Sequence, residues 1–116
     1  MNQATFQEWI SRNSRTPGLL GLGVYAPGKT SLIEAFANGF VPDALEKAWR
    51  CVTETISVLQ LNRFPTARFR FVYGEAVVHC ERRRDGACLG IFARKNAADF
   101  PAAELERLVD EFNAIS

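Results

Sequence analysis

The segment between Pro42 and Pro65 most narrows what this chain can fold into. Pro42 suits the first turn of a helix, and Asp43 and Glu46 favour its positive end. From there to Asn62 the apolar residues recur at helical spacing, in two neighbouring stripes. Leu45, Trp49, Val52, Ile56 and Leu59 form one; Ala44, Ala48, Cys51, Val58 and Leu61 form the other. A single stripe is enough to cover a sheet. Two stripes call for a second surface, either deeper in the same domain or on a partner.

The flanking segments say what kind of sheet the helix covers. Gln3 to Asn13 places Phe6, Trp9 and Ile10 at helical spacing, before a polar stretch that ends in Pro17-Gly18. In "LLGLGVYA", Leu20, Leu22 and Val24 alternate against Gly21, Gly23 and Tyr25, which predicts a strand. Pro27-Gly28-Lys29 reads as a turn, and "TSLIEAFA" is open between strand and helix. After the long helix, Phe69, Phe71 and Tyr73 alternate with Arg68 and Arg70. A Gly74 turn leads into "AVVHCER", and Asp85-Gly86 predicts a two-residue hairpin turn into "ACLGIFAR". Asn96 to Phe100 reads as loop, and Pro101 opens a last helix with Leu105, Leu108, Val109 and Phe112 on its buried stripe. With the ambiguous segment as a strand, the order is α-β-β-α-β-β-β-α. Strands joined by hairpins make this an antiparallel sheet in an α+β domain spanning residues 1–116.

Composition removes several function classes. An apolar fraction of 47% with 23% charged residues excludes a disordered chain. A net charge of +1 is too balanced for a protein whose main partner is a nucleic-acid backbone. No run approaches the roughly 20 apolar residues needed to span a bilayer, and the N-terminus lacks the pattern of a signal peptide. Cys51, Cys80 and Cys88 are odd in number and lack C-x-x-C spacing, against a disulfide framework or a zinc site. The expectation is a cytoplasmic protein without metal or cofactor.

One motif argues otherwise. "GVYAPGKT" matches the phosphate-binding pattern G-x-x-x-x-G-K-[ST], through Gly23, Gly28, Lys29 and Thr30. That loop works only where a helix starts directly after it, so that free backbone N–H groups meet the phosphates. Here the following segment must stop by Asn38-Gly39, about two turns on, which is short for a crossover helix. Neither "FRFVYGE" nor "AVVHCE" is an apolar strand ending in a metal-holding Asp. The hairpin reading of Tyr25 to Thr30 is therefore preferred, with a nucleotide-binding domain as the alternative.

The residues also carry a resemblance. "TPGLLGLGVYAPGKTSLIEAF" resembles the opening hairpin of roadblock-type dynein light-chain domains, and "FRFVYGEAVVHCERRRDGACLGIFARKN" is similar to that family's later strands. The resemblance runs from about Phe6 to Ile115 and rests on element order and hairpin placement. Two departures stand out: "APGK" replaces a turn that commonly carries an acidic residue before Gly, and "ERRRDG" is unusually basic. The resemblance implies a five-stranded antiparallel sheet with the middle helix on one face and the terminal helices on the other. It also implies a homodimer, or a heterodimer with a paralogous subunit, formed through the middle helix and the next strand. The implied role is non-catalytic: bacterial members regulate or scaffold small Ras-like GTPases.

The residues agree with a dimer. The second stripe of the long helix needs cover, and a strand at Ala67–Tyr73 placed at a sheet edge would gain from pairing across an axis. Candidate dimer contacts are Ala48, Cys51, Thr55, Val58, Arg68 and Arg70. Arg82, Arg83 and Arg84 at a hairpin tip are candidates for contact with a partner, against the plainer reading of a solvated turn. His79 beside Cys80 is not read as a catalytic dyad, because adjacent strand residues point to opposite faces. With a two-residue turn, Cys80 lies across from Ile91, and Cys88 falls on the other face. Arg68 and Arg70 between aromatics suggest a nucleic-acid platform, but Phe69 and Phe71 are better placed as core. Trp9 and Trp49 are expected to join helix to sheet. A small-molecule sensor domain of similar topology is the remaining alternative.

Overall fold

A computed structural model describes residues 3–26, 30–36, 42–61, 68–73, 76–83, 85–95 and 100–115. Its elements are α1 (Gln3–Arg12), β1 (Leu19–Ala26), β2 (Thr30–Ala35), α2 (Pro42–Leu61), β3 (Arg68–Tyr73), β4 (Ala76–Arg82), β5 (Cys88–Arg94) and α3 (Ala102–Ala114). The strands form one antiparallel sheet in the order β2-β1-β5-β4-β3. The fold is the α+β arrangement expected, and the ambiguous segment after Lys29 is the edge strand β2.

Each face of the sheet carries its own core. On one face Phe6, Trp9 and Ile10 of α1 and Leu108, Val109 and Phe112 of α3 pack on Leu22, Val24, Leu89 and Ile91. On the other, Leu45, Trp49, Val52 and Ile56 of α2 pack on Val78, Cys80, Cys88 and Phe92. The first stripe of α2 thus does what its spacing predicts. Trp49 sets how closely the helix approaches. A Cβ on Gly23 would sit 2.9 Å from the Trp49 ring, and one on Gly90 would overlap it outright. Gly23 and Gly90 are opposed across β1 and β5, so together they leave a slot for the indole. The Trp49 Nε1–H donates to the Ser31 hydroxyl on β2 at 3.1 Å, and the Tyr25 and Ser57 hydroxyls meet at 2.9 Å.

Two local registers differ from the alternation read in the sequence. Between Leu19 and Gly21 the pairing of β1 with β5 shifts. This irregularity places Leu20 in the α2-side core, whereas Leu22 and Val24 stay on the other side. The turn after β4 is also longer than two residues. The Arg83 N–H donates to the Ala87 carbonyl at 2.9 Å and the Gly86 N–H to the Arg83 carbonyl at 3.0 Å, with Gly86 at φ +90°. One extra residue changes the whole register: Cys80 lies opposite Gly90, and His79 opposite Ile91. Cys80 and Cys88 therefore share the α2 face, contrary to the two-residue expectation, and both are free thiols.

Candidate interaction site

The phosphate-loop question is decided by the segment after Thr30. β2 begins at Thr30 and pairs antiparallel with β1, with Ala26 opposite Thr30 and Tyr25 opposite Ser31. A strand start offers no cluster of free helical N–H groups to a phosphate. Gly23, the first glycine of the motif, lies beneath Trp49. Gly28 and Lys29 lie outside the described residues. The hairpin reading holds.

The long helix presents the best candidate surface. Ala44 and Cys51 are exposed, Thr55 is half-buried, and Val58 is 56% exposed. With Ala48 these residues repeat at alternating spacings of four and three, the spacing of a helix–helix seam. Ala48 itself is buried against the sheet. Small residues along such a seam let another backbone come close. The Thr55 hydroxyl turns back to the Cys51 carbonyl at 2.9 Å, leaving it engaged within the helix.

Arg68 and Arg70, grouped with these residues on sequence grounds, lie elsewhere. Their side of β3 faces α3: Arg68 donates to Glu81 at 2.6 Å and to Glu106 of α3 at 3.0 Å. Those two carboxylates hold the Arg68 pKa above its ordinary value. The structure thus separates an α2 seam from a β3 group on the opposite face. β3 remains a sheet edge, with Val72 53% exposed.

The arginine cluster divides as well. Arg83 is turned inward, with its side chain 10% exposed. Its guanidinium holds Asp85 through two hydrogen bonds of 2.9 and 2.8 Å. It also donates to the carbonyls of Phe112 and Ile115, at 2.7 and 2.6 Å, and lies over the rings of Phe6 and Phe112. These carbonyls belong to the end of α3, where unpaired acceptors and the negative pole of the helix favour a cation. Arg83 is therefore an internal clamp and is not available to meet a partner, which corrects the reading from sequence. Arg82 is half-buried on β4, and Arg84 lies outside the described residues.

Among the described residues no nucleophilic arrangement forms around His79. Its ring faces α3 while Cys80 lies in the α2-side core. Burial pushes the Cys80 thiol far up, aided by Cys88, and raises Cys88 to about 11 despite an opposing pull from Arg82. Both are poor thiolates at neutral pH. Burial, then Arg70 and Arg68, lowers the His79 pKa. Among the described residues no group of His, Cys, Asp and Glu has the makings of a metal site, and no helix is long and apolar enough to cross a membrane.

A five-stranded antiparallel sheet with α2 on one face and α1 and α3 on the other is the roadblock-type fold. Among solved structures it is similar to the gliding protein MglB from Thermus thermophilus. The two agree with a TM-score of 0.68 over 98% of this chain and 89% of that one, at 10% sequence identity. No protein-family model matches the sequence, and no curated protein does. The likeness is one of fold.

Proposed function

We propose that this chain is a dimeric, non-catalytic module that regulates or scaffolds a small Ras-like GTPase or a larger complex. The observation that carries the reading is the seam Ala44, Cys51, Thr55 and Val58, left at the surface of α2 in a roadblock-type fold. A second copy, or a paralogous roadblock subunit, would cover it. The edge strand β3 supports the same partner, because its outer backbone groups lie at the end of the sheet and gain from a neighbouring strand. The GTPase part of the reading comes from the resemblance in sequence pattern and from the MglB-like fold. Arg82, at the end of β4, and Arg84 are the candidate contacts for the GTPase or another acidic partner surface. The module acts in the cytoplasm.

The test is a tagged pull-down from bacterial cells with GDP or with a non-hydrolysable GTP analogue, read by mass spectrometry. A Ras-like GTPase enriched in one nucleotide state supports the proposal, and its hydrolysis rate with and without the module then tells regulator from scaffold. A monomeric mass by light scattering at micromolar concentration, with no GTPase in either sample, overturns it.

A further inference from the structure

A cleft of ≈250 Å³ lies between the β3–β4 edge of the sheet and α3. Its lining is divided by chemistry. Ile91, Leu105 and Val109 form an apolar wall, while Arg68, Arg70, His79 and Glu81 form a polar rim. The register explains the layout. Arg70 opposes His79 across β3 and β4, and His79 opposes Ile91 across β4 and β5. One row therefore runs from an exposed cation, through a half-buried imidazole, to a buried aliphatic side chain.

The two rim arginines are not equivalent. Arg68 is held by Glu81 and Glu106. The Arg70 side chain, two residues along the strand, makes no hydrogen bond or ion pair within the described residues, and neither does the His79 ring. Each of these groups can still bind a ligand, and they stand beside the apolar wall of Ile91, Leu105 and Val109.

We propose that this cleft binds a small monocarboxylate with a compact apolar body, its carboxylate on Arg70 and His79 and its body against Ile91, Leu105 and Val109. A single uncommitted guanidinium suits one negative charge and offers a carboxylate a two-pronged partner. Glu81 and Glu106 nearby disfavour a dianion or a phosphate. The volume is at the small end for ligand pockets, so the body is limited to about a dozen non-hydrogen atoms. His79 stays neutral near pH 7, because burial and the two arginines lower its pKa, and its ring keeps one N–H to donate. This site is on the α3 face, opposite the α2 seam, and shares only the strand β3 with the partner reading above.

The chain has one histidine, so the His79 imidazole signal in a proton NMR spectrum is unambiguous. The probe is 4-methylbenzoate, with 4-methylbenzamide as its neutral counterpart. For a ligand of this size a Kd of about 10⁻⁵–10⁻³ M is expected. The benzoate should shift the His79 signal saturably and raise the His79 pKa, since its charge offsets that of Arg70 and Arg68 on β3. The other charges near the ring, Glu81 on β4 and Glu106 on α3, are the same in free and bound protein. Arg70→Gln, a change at an exposed position, should weaken binding at least tenfold and leave the amide spectrum folded. Leu105→Trp, which fills the cleft from α3, should abolish binding. The proposal is overturned by an absent or non-saturating shift in the unaltered protein. Equal binding of the amide overturns it too, as does undiminished binding by Arg70→Gln.

Discussion

At the scale of single residues, two side chains hold much of the architecture by different physics. Trp49 docks in a slot that exists because positions 23 and 90 lack a Cβ. Gly90→Ala forces the indole out of its place, an overpacking change expected to cost about 1–3 kcal/mol. Urea unfolding followed by tryptophan fluorescence measures it, and an unchanged midpoint would contradict the packing described. Arg83 acts by hydrogen bonding and charge. Arg83→Met keeps the stem over Phe6 and Phe112 but leaves the Ile115 carbonyl without its donor and the Phe112 carbonyl with the Ile115 N–H alone. The expected loss is about 2–3 kcal/mol, with faster amide exchange at the end of α3. Lysine should restore only part of this, because one ammonium cannot reproduce a planar fork that also grips Asp85.

At the scale of elements, α2 divides its two apolar stripes between the sheet and the surface. Val52 and Ile56 are buried, while Cys51 and Val58 are exposed only one or two positions away. Val58→Asp should therefore leave the unfolding free energy of the monomeric chain, from urea titration, within about 0.5 kcal/mol. If α2 forms the dimer seam, the same change should hold the light-scattering mass at that of a monomer. Thiol labelling offers an independent check. Cys80 and Cys88 are buried with raised pKa values, so a maleimide at neutral pH should modify Cys51 alone. If α2 forms the dimer seam, that labelling slows as protein concentration rises. Labelling of Cys51 at one rate across all concentrations would remove α2 from the interface.

Across the whole molecule, acid should act in two stages. The folded pKa of His79 lies below its ordinary 6.5, so from 6.5 down to that lower value the unfolded chain takes up the proton more readily. Stability is complete above this window and falls as pH drops through it. Asp85, held down first by Arg83, and Glu111, where bonds from Trp9 and Arg107 outweigh an upward push from burial, form the second stage. Their contribution is present above the ordinary values of 3.8 and 4.5 and is lost as pH falls toward the lower folded values. Urea midpoints measured against pH should show both stages, and His79→Gln should remove the first and keep the second. A first stage that survives in that variant would assign it to another group.

Much of this was legible in the chain itself. Helical spacing from Asp43 onward, alternation in "FRFVY" and the turn residues between strands determined the elements and their antiparallel order, because these patterns arise from local geometry with periods of 3.6 and 2. The same patterns found the two stripes of α2. Other features depend on distance in space. Whether Asp85-Gly86 closes a loop of two residues or three moves Cys80 between the faces, and only the pairing of β4 with β5 chose. Arg83 stands in a run of three arginines that look alike in sequence, and one is a clamp because α3, which ends about thirty residues later, presents its carbonyls there. The Gly23 of a phosphate-loop pattern is a packing glycine because Trp49 lies above it. The cleft by Arg70 and His79 has residues from β3, β4, β5 and α3 on its walls, a set that no local period can assemble. Local physics writes the elements into the chain, while the assignment of each side chain to core, clamp or site is made by neighbours that the fold brings from far away.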